Sequence, residues 1–388
     1  MKVLDLTRVL AGPYAAMMLA DMGAEVLKIE LPGVGDDSRQ NAPIVGGGES
    51  AYFINLNRNK RGITLNLKSE KGKEIFRKLV AEYDVVIENY RPGVMEKLGL
   101  GYEDLKKINP ALIYAAISGF GHYGPYSQRA GYDIIAQAMS GLMSTTGWPG
   151  ESPTRTGTAI GDVVAGLSCC IGMLGAYANR LKTGVGEKVD ISLVDSLVSS
   201  LEIINMIYLC TDRVPQRIGN RYEAIYPYDS FKAADGDVII ACGNDKLFGL
   251  LKGYLKMPEL EDPEFGNNIN RVKNHAKIRV LVESWTVQHT VDEIVEILLG
   301  LGIPVAPINT IDRVAKDPHI ADAREMFVEC EHPTAGKLRI TGTQLKFSEH
   351  KFGVYRPAPL LSEHTEEVLA ALGYDASEFT KFKEEGIV

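Results

Sequence analysis

Short apolar strands and helices alternate along the first half of the chain, and this alternation constrains the fold more than any other feature. Strands are predicted at residues 3–6, 25–29, 84–88, 112–117 and 188–192, and helices at residues 12–22, 69–82, 162–181 and 193–210. Such alternation is typical of a parallel sheet, because each crossover helix packs back onto one face of the sheet. The sequence therefore predicts an α/β fold with a doubly wound, mostly parallel, Rossmann-like sheet.

The pattern changes after residue 211, where arginines alternate with turn residues. A hairpin is predicted at residues 230–241, helices at 277–288 and 291–301, strands at 326–330 and 337–341, and a last helix from His364. We therefore expect three parts. They are the N-terminal part of a large domain at residues 1–210, a smaller α+β domain at 222–325, and a C-terminal return to the large domain at 326–388.

Charge and composition exclude several classes of function. The net charge of −8 gives no basic footprint for a nucleic acid. The seven histidines lack metal-site spacing, and the five cysteines include no CxxC pair, which favours reduced thiols without a metal. The first residues have the pattern of a strand and not that of a signal peptide. The apolar helix at 162–181 has the features of a core helix rather than of a membrane span. We expect a cytoplasmic protein with no metal and no membrane or nucleic-acid partner.

One acidic residue, Asp162, lies at the start of that apolar helix, in the stretch TGTAIGDVVAGLSCCIGMLGAY. No other charge occurs between residues 157 and 177. Two interpretations are open at this point. Aspartate is a favoured N-cap residue that suits the positive end of a helix dipole. Alternatively, the carboxylate is kept there for chemistry.

Loops at the predicted carboxyl ends of the strands are candidate ligand sites, because open α/β sheets bind ligands at that edge. The loop at 7–12 has small residues that let a ligand approach, or it is a plain turn. LPGVGDD does not complete a GxGxxG pattern, so a nicotinamide or flavin is poorly supported. Two basic stretches, at residues 55–69 (NLNRNKRGITLNLKS) and 88–100 (ENYRPGVMEKLGL), are either solvated surface or a site for a ligand with several phosphates. Their basic residues are Arg58, Lys60, Arg61, Lys68, Arg91 and Lys97.

Several motifs occur together and in order over essentially the whole chain: LAGP, GAEVLKIE, NLNRNKRGITLNL, VVIENYRPGVMEKLGLGYEDL, SGFGHYGPY, AGYDIIAQAMSG, GDVVAG and LGIPVAPI. With these motifs the chain resembles the class III CoA-transferases (CaiB/BaiF type), the family of formyl-CoA transferase and carnitine CoA-transferase. The resemblance implies a CoA-transferase that needs no tightly bound cofactor and takes acyl-CoA and a carboxylic acid as substrates. It also implies that Asp162 is the covalent nucleophile.

The resemblance also implies which residues bind CoA. They are Val9, Ala11, Leu65, Lys68, Asn89, Tyr90, Arg91, Lys97, Tyr132 and Asp133. Lys97 replaces an arginine of formyl-CoA transferase, Leu31 and Ala130 replace basic residues, and Leu10 replaces a glutamine. RIGNRYEAIYPYD lies where that enzyme has a run of glycines, so oxalate and formate are not expected as substrates. Four residues either give an acceptor pocket less polar than oxalate needs or belong to ordinary core and loop packing, which is the more common case: Leu10, Met143, Trp148 and Tyr226.

Family resemblance further implies an interlocked homodimer. Two alternatives to the transferase remain open. A 2-methylacyl-CoA racemase would use the same aspartate but needs a second proton carrier, and Tyr132 is a poor one near neutral pH. A non-catalytic acyl-CoA-binding subunit of a hetero-oligomer would have no reason to retain Asp162.

Overall fold

The computed structural model describes residues 1–388 and contains eleven strands and seventeen α-helices. The strands are β1 (Lys2–Asp5), β2 (Glu25–Glu30), β3 (Arg61–Thr64), β4 (Val85–Glu88), β5 (Ile113–Ser118), β6 (Lys188–Ser192), β7 (Tyr228–Lys232), β8 (Asp237–Ala241), β9 (Val305–Pro307), β10 (Phe327–His332) and β11 (Gly336–Thr341). The helices are α1 (Ala11–Asp21), α2 (Ala51–Asn57), α3 (Glu70–Glu82), α4 (Val94–Lys97), α5 (Tyr102–Leu105), α6 (Asp133–Met139), α7 (Leu142–Thr145), α8 (Ile160–Thr183), α9 (Leu193–Ser200), α10 (Glu202–Thr211), α11 (Asp245–Leu255), α12 (Asn268–Lys273), α13 (His275–Thr286), α14 (Val291–Gly300), α15 (Ile311–Val314), α16 (Thr365–Ala371) and α17 (Ala376–Glu384).

These elements form two units. The first comprises residues 1–143, 155–213 and 318–388, and the second comprises residues 144–154 and 214–317. The second unit therefore begins and ends about eight residues before the predicted range of 222–325. It also takes residues 144–154, which were predicted in the large domain. The reason is local: the Gly219 N–H donates to the Gly147 carbonyl at 3.0 Å, and the Trp148 ring lies directly against Gly219.

A parallel sheet of six strands, in the order β3-β2-β1-β4-β5-β6, forms the centre of the first unit. The predicted doubly wound α/β fold is confirmed. The strand order reverses direction between β1 and β4, which is where such sheets bind ligands. β3 was not predicted, because its basic flanking residues suggested a loop.

Each face of this sheet is covered by its own apolar core. Tyr114 and Ala116 of β5 face a core that includes α3 and the C-terminal residues Leu369 and Val388. The alternate β5 residues Ile113, Ala115 and Ile117 face the other core, together with residues of α1, α8 and α9. This alternation follows from the two-residue period of a strand.

Two apolar helical segments differ from their predictions. The predicted helix at 193–210 is two helices, α9 and α10, which meet at a bend of 76°. Glu202 at the junction has a φ of 38°, outside the helical range, and no glycine or proline signals this break. Taken alone, α8 is long and apolar enough to cross a membrane, as is the α9–α10 pair taken together. Core helices share this property, and Ala165 and Cys169 of α8 are fully buried.

The second unit is built on an antiparallel sheet in the order β7-β8-β9. The predicted hairpin at 230–241 is present as β7 and β8, and α13 and α14 cover the two predicted helices. Its core includes Phe231, Ile240 and Phe248. Tyr226, which was expected in the acceptor pocket, is fully buried in this core instead.

Candidate active site

A cavity of about 510 Å³ opens at the carboxyl ends of β1, β4 and β5, where the strand order reverses. It brings together seven of the residues that the sequence predicted: Val9, Ala11, Asn89, Tyr90, Arg91, Tyr132 and Asp162. Leu10 and Ala130 line it too. Since these residues come from four separate stretches of the chain, the cavity exists only in the folded sheet.

The loop after β1 is held in a strained shape by buried charges. Val9 has a φ of 67°, which a β-branched residue rarely adopts. Its N–H donates to the Asp36 carboxylate at 3.1 Å, and Lys28 binds both Asp36 and the Thr7 carbonyl at 2.9 Å. Although burial opposes it, Lys28 holds the pKa of Asp36 well below its usual value. An ionised Asp36 therefore fixes the backbone that lines the cavity.

Asn89 joins the loop after β4 to the loop after β1. Its side-chain oxygen accepts from the Arg8 N–H at 2.9 Å, and its side-chain nitrogen donates to the Arg8 carbonyl at 2.8 Å. The Arg8 guanidinium lies 5.6 Å from the centre of the Tyr90 ring and forms an exposed ion pair with Asp37. Asn89 thus sets the spacing of two loops that line the same cavity.

Asp162 is the third residue of α8 and lies in the first turn. The N-cap position is Ala159, which has no side-chain cap, so the interpretation of Asp162 as an N-cap is wrong. The carboxylate accepts no hydrogen bond from the chain and faces the cavity. Burial, followed by the negative charge of Asp133, raises the pKa of Asp162 to about 7. Because the pKa is raised, burial opposes ionisation more strongly than the positive end of the helix favours it.

Asp133 lies outside the cavity lining, although it was predicted to bind CoA. Its carboxylate accepts from the Gly161 N–H at 2.8 Å and from the Gln137 amide at 2.7 Å. The same Gln137 side chain accepts from the Thr156 N–H at 3.0 Å. Asp133 and Gln137 therefore hold the entry to α8, and Asp133 satisfies an N–H that the helix itself leaves free.

The glycines of GDVVAG permit two close approaches. A Cβ on Gly161 would lie 2.9 Å from the Asp133 carboxylate, and one on Gly166 would lie 2.7 Å from the Ala11 carbonyl. Either substitution would push the start of α8 away from its neighbours. The motif thus lets the first two turns of α8 pack closely against Asp133 and the Ala11 backbone.

A second cavity of about 330 Å³ adjoins the first, with which it shares Arg8, Asp37, Tyr90 and Val94. Two more predicted residues, Leu65 and Lys68, line this smaller cavity, as does Leu31. Lys97 lines neither cavity and is exposed at the end of α4. The joined cavities suit a long ligand rather than a compact one.

The basic stretch at 55–69 is not the anion site that its charges suggested. Arg58 forms a buried ion pair with Asp21 at 2.6 Å, and Lys60 forms one with Asp5 at 2.8 Å. Burial lowers the pKa of Lys60 to about 8, against the opposing charge of Asp5. Of the basic residues in this stretch, only Lys68 lines a cavity.

Several residues that line the larger cavity were not predicted as site residues from the sequence, and they include Arg8, Ser118 and Arg129. Ala130 is a position at which formyl-CoA transferase has a basic residue. Arg129, the residue before it, also lines the cavity and supplies a cation there. Both arginines lie within stretches that were singled out for their turns rather than their charges. Of the residues expected around the acceptor, only Leu10 lines the cavity with Asp162.

Fold and site together define an α/β protein with two joined cavities at the switch point of a parallel sheet, lined by several cationic side chains and by the carboxylate of Asp162. CoA-transferase family III matches residues 1–365. The human succinyl-CoA:glutarate CoA-transferase is 40% identical over 100% of this chain and 89% of its own length. The succinyl-CoA:mesaconate CoA-transferase of Haloarcula marismortui is 40% identical over 97% of this chain and 96% of its own.

A solved structure agrees with these sequence relatives. The crystal structure of a CaiB/BaiF family protein from Brucella suis has a TM-score of 0.84 and 41% identity, covering 96% of this chain and 98% of that one. The chain therefore belongs to CoA-transferase family III. It is an enzyme that transfers CoA between an acyl-CoA and a carboxylic acid.

Proposed function

We propose that Asp162 is the nucleophile of this transfer. The observation that carries the proposal is a carboxylate that faces the cavity, lacks hydrogen-bond donors, and has a pKa of about 7. Near neutral pH a substantial fraction is ionised, and its lone pairs are not engaged by donors. Sparse hydration in an apolar setting makes a carboxylate more nucleophilic than one in water.

The proposed reaction conserves the thioester. The Asp162 carboxylate attacks the acyl-CoA carbonyl and displaces the CoA thiolate, which leaves a mixed anhydride. The thiolate then attacks the aspartyl carbonyl and releases the donor acid, which leaves an aspartyl-CoA thioester. The acceptor carboxylate attacks that thioester and displaces the CoA thiolate, which leaves a second mixed anhydride. Finally the thiolate attacks the acceptor's acyl carbon, which releases the new acyl-CoA and regenerates Asp162.

CoA is proposed to span the two joined cavities. Arg8, Arg91 and Arg129 supply cations for its phosphates in the larger cavity. The smaller cavity, with apolar Leu65 beside Lys68, suits the adenosine end. This arrangement leaves the reactive end of the arm for the part of the cavity that Asp162 lines.

Succinyl-CoA is the proposed donor and a small dicarboxylic acid such as glutarate the proposed acceptor. The support comes from relatives that are named for these substrates and match most of their own length. Leu10 at the cavity wall offers no charge to the acceptor, so the shape of the pocket would select among dicarboxylic acids.

Intact-protein mass spectrometry after hydroxylamine treatment tests this proposal. Wild-type enzyme mixed with succinyl-CoA should give a hydroxamate at Asp162, since hydroxylamine attacks an activated aspartyl carbonyl. Asp162→Asn should give none. Asp195→Asn is the matched control, because Asp195 also lies in the first turn of a helix but outside the cavity, and it should react as wild type does. A hydroxamate on another residue, or exchange of the α-proton without any adduct, would contradict the proposal.

We also propose a homodimer that does not exchange subunits without unfolding. The support is an apolar surface on α8 and α10 in the single chain: Ile171, Leu174, Met206 and Leu209 are all exposed. Patches of this kind on a single chain mark protein contacts. Mixing differently tagged native dimers for hours should give no mixed species by pull-down, and mixed dimers would refute the proposal.

A further inference from the structure

The hydroxyl of Ser118 is a buried polar group without a partner. Ser118 ends β5, is 8% exposed, and lines the larger cavity. Its Oγ atom has no hydrogen-bond partner in the chain. Leaving a buried donor unsatisfied costs on the order of 1–3 kcal/mol, so such groups in native proteins call for an explanation.

Neighbouring serines show that partners are available at this edge of the sheet. Ser192 Oγ donates to the Gly119 carbonyl at 3.4 Å, and Ser196 Oγ donates to the Ser192 carbonyl at 2.8 Å. Ser196 has the same exposed fraction as Ser118, 8%. The unpaired hydroxyl of Ser118 is therefore specific to the position that faces the cavity.

The pleat of β5 decides which part of a ligand Ser118 meets. Ser118 shares its face of the sheet with Tyr114 and Ala116, and Ile117 packs on the opposite face with α8. Asp162 is part of α8, so it reaches the cavity from the face opposite to Ser118. Ser118 is thus placed beside the path of the ligand rather than at the atom that Asp162 attacks.

We propose that the Ser118 hydroxyl donates a hydrogen bond to an amide carbonyl of the pantetheine arm of CoA. The inference rests on the proposed function, because it needs CoA in the cavity. Ser118 would then stabilise the bound arm in every step of the reaction equally. Such uniform binding lowers the dissociation constant without raising the rate of the chemical step.

Titration calorimetry with Ser118→Ala tests the assignment. Loss of one neutral hydrogen bond should weaken CoA binding about fivefold to tenfold. Affinity for adenosine 3′-phosphate 5′-diphosphate, which has the phosphates but no arm, should not change. Ser196→Ala is the matched control and should bind both ligands as wild type does. Ser118→Thr keeps the hydroxyl and should retain most of the affinity for CoA.

Stability separates a ligand contact from a structural role. Ser118→Ala should leave the melting temperature of the free enzyme unchanged or higher, since it removes an unsatisfied group, whereas Ser196→Ala should lower it. Unchanged CoA affinity in Ser118→Ala, or an equal loss for the ligand without the arm, would overturn the inference. A lower kcat with unchanged affinity would overturn it too, by placing the hydroxyl at the reacting carbonyl. Failure of the wild-type enzyme to bind CoA would instead contradict the proposed function.

Discussion

Replacing Asp162 by asparagine should stabilise the protein at high pH and not at low pH. The pKa of Asp162 is raised from 3.8 to about 7 by burial and by Asp133. A carboxyl whose folded pKa is above its unfolded pKa destabilises the fold when it ionises. The cost is absent below about pH 4, grows between about pH 4 and pH 7, and is complete above that range. Asparagine has a similar shape and never carries the charge.

The size of this effect follows from the pKa. A difference of this size corresponds to about 4 kcal/mol at 1.36 kcal/mol per pH unit. Asp162 is half-buried and faces a cavity open to solvent, which screens part of the cost, so we expect roughly 2 kcal/mol. In a protein of this size, whose unfolding entropy is about 0.8 kcal/mol per degree, that corresponds to a rise in melting temperature of about 2–3 °C.

Differential scanning calorimetry of Asp162→Asn and wild type from pH 4.5 to pH 8.5 measures this stabilisation. The difference in melting temperature between Asp162→Asn and wild type should increase with pH and level off above about pH 7.5. Asp195→Asn, an exposed first-turn aspartate, should show a difference that does not follow this curve. A difference for Asp162→Asn that stays constant with pH, or that grows on acidification, would refute the reasoning.

Three further changes test the surroundings of the site. Lys60→Met should lower the free energy of unfolding, measured by urea denaturation, by about 3–5 kcal/mol, because it leaves the Asp5 carboxylate buried without its ion-pair partner. Lys71→Met, which removes an exposed ion pair with Glu74, should lower it by less than about 1 kcal/mol. Asn89→Ala should weaken CoA binding about tenfold by calorimetry, since it removes both hydrogen bonds to Arg8, and unchanged affinity would contradict that role. Gln137→Met should slow hydroxamate formation at Asp162 about tenfold in single-turnover experiments, and a wild-type rate would exclude Gln137 as a positioning residue.

The sheet could be predicted because its strands leave a local signal. Clusters of apolar residues, two to five in each strand, mark β1, β2, β4 and β5. β3 leaves a contrary signal, since Lys60 and Arg61 resemble a solvated loop. Lys60 is buried only because it meets Asp5, 55 positions away, and no pattern within a window of sequence reports such a pairing. The break between α9 and α10 at Glu202 likewise has no glycine or proline that could have predicted it.

The candidate site also has residues that the sequence could place and residues whose role it could not give. Asp162, Val9, Asn89 and Tyr132 were placed by motif resemblance, and the structure brings them to one cavity. Asp133 follows Tyr132 directly, yet it turns to the Gly161 N–H, because the start of α8 has no cap of its own. A sequence motif records that such a residue matters, but it does not distinguish a ligand contact from support for a neighbouring helix.

The two carboxylates at the start of α8 have opposite surroundings, and this difference fits their proposed roles. Asp133 receives two hydrogen bonds that fix its orientation and engage its lone pairs. Asp162 receives none and is partly dehydrated, so its ionised form lowers the free energy of unfolding. A donor placed on Asp162 would lower its pKa and recover that stability, but it would also occupy the lone pair that must attack the thioester. The helix therefore has to be capped from outside, and Asp133 on α6 does so without a hydrogen bond to the carboxylate of Asp162.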